Sequence, residues 1–120
     1  MKYIALIYTA AAANPVYGTP EFGAQLAAYK MATDTYIKDG VMGGGDALHP
    51  TTTATTVRVR KGKIETLDGP FAETKEQLGG YYVLDCANLD DAIKYAAMIP
   101  GAAIGSIELR PIMNIDYNTM

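Results

Sequence analysis

Asp68-Gly-Pro-Phe-Ala-Glu-Thr-Lys-Glu-Gln-Leu-Gly-Gly-Tyr-Tyr-Val-Leu-Asp85 is the stretch on which the fold turns. It runs from a tight turn, through a short charged segment, into the most apolar strand candidate of the second half. An Asp in a turn ordinarily accepts from the backbone N–H two residues on. At Asp68 that residue is Pro70, which has no N–H. The carboxylate is left to a later N–H, to water, or to a group elsewhere in the fold. Gly69 precedes the proline, where extended backbone is favoured, and without a Cβ it also has access to positive φ. Gly79-Gly80 lets another backbone or a ligand come close at the strand start.

Upstream, residues 3–8 form a short strand that is apolar on both faces. Thr19-Pro20-Glu21 starts a helix: a hydroxyl N-cap, Pro at the first position, and an acid near the positive end of the dipole. Phe22, Leu26, Tyr29 and Tyr36 recur on one side of it and read as a core stripe. Gly40 ends the helix as a left-handed cap. Residues 41–48 read as a second strand, where Gly43-Gly44-Gly45 signals close backbone packing or a bulge. Those glycines follow a helix and lack a Gly-Lys-Ser/Thr, which excludes a phosphate loop. After His49-Pro50, the Thr-rich run at 51–56 suits a strand. Residues 55–60 and 63–67 then flank Lys61-Gly62 as a hairpin with Val57 and Val59 facing inward.

Downstream, residues 78–86 form the apolar strand. Asn88 caps a second helix with Asp90 and Asp91 in its first turn. Its apolar face is Leu89, Ala92, Ile93 and Ala96, and Pro100-Gly101 stops it. A last strand covers 106–112, with Pro111 marking a sheet edge. The order is β-α-β, an inserted hairpin, then β-α-β. That order predicts an α+β domain: a ferredoxin-like βαββαβ antiparallel sheet with both helices on one face. The other face stays open, and strands apolar on both sides argue for a partner that covers it.

At 120 residues the chain is one domain spanning 1–120. Hydrophobic residues at 49% and charged ones at 19% give a globular composition. The net charge of −3 provides no basic face for nucleic acid, and Arg58, Arg60, Lys61 and Lys63 read as a solvated hairpin. The single cysteine, Cys86, excludes an internal disulfide and reads as a small buried hydrophobe. One Cys and one His do not make a zinc site, and no carboxylate motif supports magnesium or calcium. The expectation is a protein without metal or cofactor. No apolar run is long enough to span a bilayer. Two tyrosines and a lone Lys spoil the N-terminal stretch as a signal peptide, so a cytoplasmic protein without membrane contact is expected.

His49 is the only histidine, at the end of the second strand. Asp68 ends the hairpin that follows. A hairpin folded back would bring the two together as a base and a carboxylate that orients it. Thr51, Thr53, Thr55 and Tyr81 or Tyr82 would line the pocket beside them. Lys75 would bind a small-molecule anion, or belong to a solvated segment. The plainer alternatives stay open: Asp68 bracing its turn by accepting from Phe71 or Thr74, and His49 as a surface residue.

Asp68 to Asp85 resembles the signature of the YCII-related family, in its DGPF-domain branch. The likeness extends through Gly43-Gly44-Gly45-Asp46, the run from Thr53 to Arg60, and Ile107-Glu108-Leu109-Arg110-Pro111. It implies a homodimer whose sheets pack face to face, a dimeric α+β barrel. Related muconolactone-isomerase-like proteins imply a His–Asp pair for isomerisation or dehydrohalogenation of small ring acids, with the histidine on the first helix. The first helix here has Tyr29 and Tyr36 but no His, so His49 would act from another position. Two functions follow from this reading. One is proton transfer on a small organic acid or lactone, with His49 as base and Asp68 as its orienter. The other is a non-catalytic ligand-binding or regulatory module, as the branch's association with alternative sigma factor systems implies. A dimer with no small-molecule role is the third option.

Overall fold

The computed structural model describes residues 1–119. Its main sheet comprises β1 (Lys2–Ala10), β2 (Met42–Ala47), β5 (Glu76–Asp85) and β6 (Ser106–Pro111). The strand order is β2-β5-β1-β6, and every pair is antiparallel. With α1 (Pro20–Lys38) and α2 (Leu89–Ala96) as the crossovers, this is the ferredoxin-like arrangement. The hairpin of β3 (Thr55–Arg60) and β4 (Lys63–Asp68) forms a separate two-stranded sheet. Pro111 pairs with Tyr3 on the edge strand β6, where a missing N–H costs no ladder bond.

Period-two burial sets the core. Tyr3, Ala5, Ile7 and Thr9 of β1 are buried, while Ile4, Leu6 and Tyr8 between them are half-buried. Tyr82 and Leu84 continue the buried face on β5. They meet Ala32 and Tyr36 from α1 and Ala92 and Ala96 from α2. Tyr36 is fully buried, edge-on to Tyr82 and to Tyr95 at ring separations of 5.2 and 5.8 Å. Its hydroxyl donates to the Tyr95 carbonyl at 2.6 Å, so the largest core side chain leaves no polar atom unpaired. Cys86 is buried, as a small hydrophobe would be.

The helix ends follow local chemistry. Thr19 Oγ1 accepts from the Phe22 N–H at 3.2 Å, and Asn88 Oδ1 accepts from the Asp91 N–H at 2.9 Å. At the end of α1, Gly40 takes φ +72. The Gly40 N–H bonds the Ile37 carbonyl and the Val41 N–H bonds the Tyr36 carbonyl, a Schellman closure.

Several expectations are corrected. Leu26 is exposed and Phe22 and Tyr29 are only half-buried, because the N-terminal half of α1 faces a cavity instead of the core. On α2 only Ala92 and Ala96 are buried; Leu89 and Ile93 are about half exposed. Pro100 does not end helical structure but opens a short turn of helix, α3 (Gly101–Ile104). Residues 51–53 form a 3-10 turn, not a strand: Thr53 Oγ1 donates to the Pro50 carbonyl at 2.7 Å, a local bond that competes with strand pairing. Val57 and Val59 do not face inward; they are 62% and 60% exposed. The hairpin forms through its turn, with positive φ at both Lys61 and Gly62. Among the described residues, no third strand joins its sheet.

Glycines set the approach of β2 to β5. The register slips between Met42 and Gly44, leaving Gly43 as the bulged residue. A Cβ on Gly45 would lie 2.7 Å from the Tyr81 carbonyl oxygen, and one on Gly80 2.9 Å from that of Asp46. A second slip, between Ile7 and Tyr8, leaves Gly79 unpaired on β5. The irregularity at Gly79 falls on the cavity lining.

Candidate functional site

A cavity of about 730 Å³ lies on the helix side of the sheet. Its floor is the end of β1 and the start of β5, with Ile7, Leu78 and Tyr82 exposed to it. Phe22, Leu26, Tyr29 and Thr33 of α1 form one wall. The end of β2 and the following turn, from Gly45 to Thr51, form the other. The walls are mainly apolar and aromatic, and the polar groups among them are few.

Those polar groups are organised. Thr9 Oγ1 donates to Asn14 Oδ1 at 3.0 Å. Thr33 Oγ1 and Tyr82 Oη share a hydrogen bond of 2.8 Å. On the opposite, open face of the sheet, Tyr81 Oη donates to Asp46 Oδ2 at 2.8 Å, and this bond to a carboxylate raises the pKa of the phenol above its ordinary value. Burial raises the Tyr29 pKa, with partial relief from a backbone hydrogen bond at Gly101. Burial also raises that of Tyr36 strongly. These phenols are therefore neutral hydrogen-bonding groups near pH 7, not bases. Cys86 is held as a thiol in the same way, by burial first and by Asp91 and Asp85 after it.

Of the residues expected at a site, His49, Thr51, Tyr81 and Tyr82 line the cavity. Thr53 is tied to Pro50, and Thr55 starts β3 opposite Asp68. Neither lines the cavity, and Lys75 and Asp68 lie outside it too. Among the described residues, no hydrogen bond or ion pair joins His49 to Asp68. Asp68 does not accept from Phe71 or Thr74; Thr74 Oγ1 donates to the Glu76 carbonyl instead. Backbone holds that turn. The Gly69 N–H donates to the Ala54 carbonyl at 2.7 Å, and Thr56 Oγ1 donates to the Gly69 carbonyl at 2.8 Å. Gly69 takes φ +96.

Thr9, Asn14, Gln25, Tyr29 and Thr33 are the lining residues that sequence reasoning passed over. One signal for them existed. Thr33 sits four residues after Tyr29 and three before Tyr36, a polar group inside an apolar stripe. Thr9 likewise continues the buried register of Tyr3, Ala5 and Ile7.

Among the described residues, no three His, Cys, Asp or Glu side chains gather to hold a metal ion. No described helix is long and apolar enough to cross a membrane. An uncharacterised protein of Rhizobium meliloti (strain 1021) is 47% identical over 79 residues, which are 64% of this chain and 64% of that protein. This chain thus covers just under two thirds of that relative's length. The model of the YCII-related domain matches residues 1–116, and the chain belongs to the YCII-related family.

Proposed function

We propose that this member of the YCII-related family binds a small organic molecule in the cavity beside α1, and that His49 moves a proton on it. The cavity carries the proposal. Ligand pockets run from roughly 300 to 1,000 Å³ with apolar walls and few polar groups. A space of about 730 Å³ in a chain of 120 residues fits that description. His49 is exposed on the lining and makes no hydrogen bond to another described residue. Both of its ring nitrogens are open to a ligand. Isomerase-type or lyase-type chemistry on a small carbonyl compound is the form that proton transfer takes in this reading.

A homodimer is part of the proposal. The accessible surface is 8690 Å², against about 6,300 Å² for a compact monomer of this mass. The radius of gyration is 16.6 Å, against about 13.6 Å. The excess surface, about 2,400 Å² per chain, is what an obligate homodimer hides. Ile4, Leu6, Tyr8, Tyr81 and Val83 on the open sheet face and Val57, Val59, Ile64 and Leu67 on the hairpin supply apolar area for it. Among the described residues Asp68 has no side-chain partner, so in this reading its role as orienter of His49 is supplied by a second copy.

A second reading, a binding or regulatory module without catalysis, is favoured by one observation: no side chain among the described residues hydrogen-bonds His49. One experiment separates the two. Small lactones and ring acids are titrated into wild type and His49→Ala, following lining-residue resonances by NMR and turnover in parallel. Catalysis requires turnover that His49→Ala abolishes with the fold intact. Saturable binding that survives His49→Ala, without turnover, establishes the module. No shift at any lining residue sinks both.

A further inference from the structure

We infer that the cavity takes its ligand in uncharged form, so that a lactone, amide or other neutral carbonyl compound is the substrate class and the free acid is not. The inference rests on the binding reading above and narrows it. No Lys or Arg lines the cavity. Asp46 edges the cavity, but its carboxylate is exposed and bonds the Tyr81 hydroxyl on the open face of the sheet. A carboxylate brought among these walls would lose part of its hydration and gain no fixed counter-charge. His49 is the one lining group able to gain a positive charge, and it stands exposed, where water and salt screen it. The start of α1, the other local source of positive potential, is already occupied. Thr19 takes the Phe22 N–H, and Glu21 sits in the first turn.

The neutral groups are arranged for a carbonyl or ester. Thr33 and Tyr82 share one hydrogen bond. One of their two hydroxyl hydrogens is used between them, and the other is left to donate to a ligand. The Tyr29 hydroxyl and the Gln25 amide stand along the same wall. These groups can both donate and accept, which suits an uncharged polar head. Phe22, Leu26 and Leu78 offer apolar surface to the body of the molecule.

The test uses an isosteric pair, 2-naphthamide and 2-naphthoate, titrated into the full chain at fixed ionic strength and followed by chemical shifts of the lining residues. The amide is expected to bind about tenfold or more tighter, since the two differ mainly in charge. Naphthoate binding as tightly as the amide overturns the inference and leaves the binding reading standing. If neither probe shifts a lining residue, the binding reading fails and this inference with it.

Discussion

Gly45→Ala and Gly23→Ala add the same methyl group and should move stability in opposite directions. At Gly45 the new Cβ lies 2.7 Å from the Tyr81 carbonyl oxygen and 3.0 Å from Tyr82 Cδ1. β5 is an inner strand and cannot yield; β2 is an edge strand and must. Restoring ordinary contact means moving β2 by somewhat under 1 Å, given contact distances near 3.5 Å. Overpacking of this kind costs about 1–3 kcal/mol, and a weakened ladder hydrogen bond about 1 kcal/mol. A net loss of about 2–3 kcal/mol corresponds to a fall in Tm of roughly 8–12 °C for a chain of this length. At Gly23, inside α1, nothing lies within 4 Å of the added Cβ. There the gain is helix propensity, about 1 kcal/mol, a rise of roughly 4 °C. Thermal unfolding followed by circular dichroism, at one fixed protein concentration, reads both. Because the end of β2 carries Asp46 and leads into His49, Gly45→Ala should also weaken ligand binding. A Gly45→Ala protein within about 0.5 kcal/mol of wild type would refute the claim that glycine sets the β2–β5 approach.

Tyr36→Phe removes the bond to the Tyr95 carbonyl and should cost about 1–2 kcal/mol in urea unfolding at neutral pH. Folding raises the Tyr36 pKa, chiefly by burial. The native state therefore favours the neutral phenol, and that stabilisation is complete below about pH 10 and is lost as pH climbs beyond it. Stability measured from pH 8 upward should fall, and fall less steeply in Tyr36→Phe. Leu26→Asp alters an exposed position on the cavity wall. Its Tm should stay within about 2 °C of wild type while ligand affinity drops about tenfold or more; unchanged affinity would place the ligand elsewhere. Wild type should sediment as a dimer at micromolar concentration, and Leu6→Lys, in the middle of the open face, as a folded monomer. A monomeric wild type would sink the covered-face reading.

The parts of the fold legible in the sequence are those fixed by local chemistry. Thr19-Pro20-Glu21, Gly40 and Asn88 set helix ends within a few residues of themselves, and each does so in the structure. At β1 the sequence is apolar on both faces, so it did not say which one the helices cover; the structure buries Tyr3, Ala5 and Ile7 there. The cavity was hidden for a different reason. Phe22, Leu26 and Tyr29 show the same helical period whether core or empty space lies opposite them, because the period reports only which side leaves water. The hairpin failed on a similar point. Alternation placed Val57 and Val59 on one face, and nothing local says whether a neighbour exists to receive it. At Thr51–Thr53 the β-branched preference lost to a side-chain bond onto Pro50. His49 and Asp68 were paired on the assumption that the hairpin folds back; within the chain it stands apart.

The Asp68–Asp85 stretch therefore serves two places. Its glycine end, Leu78 to Tyr82, forms the floor of the cavity, with the bulge at Gly79 and the close approach at Gly80. Its other end closes the hairpin through Thr55–Asp68 pairing and a backbone-held turn, off the cavity lining. No side-chain bond made by Asp68 explains why an acid stands there, since backbone groups alone satisfy the turn. A two-stranded hairpin by itself is marginal in water, and this one exposes four large apolar residues. The physical need at that end is for a covering surface, and at the glycine end it is for space beside a strand. One continuous motif thus joins the wall of the cavity to a hairpin whose apolar side chains are exposed. Assembly of two chains is the simplest state in which both ends have a use.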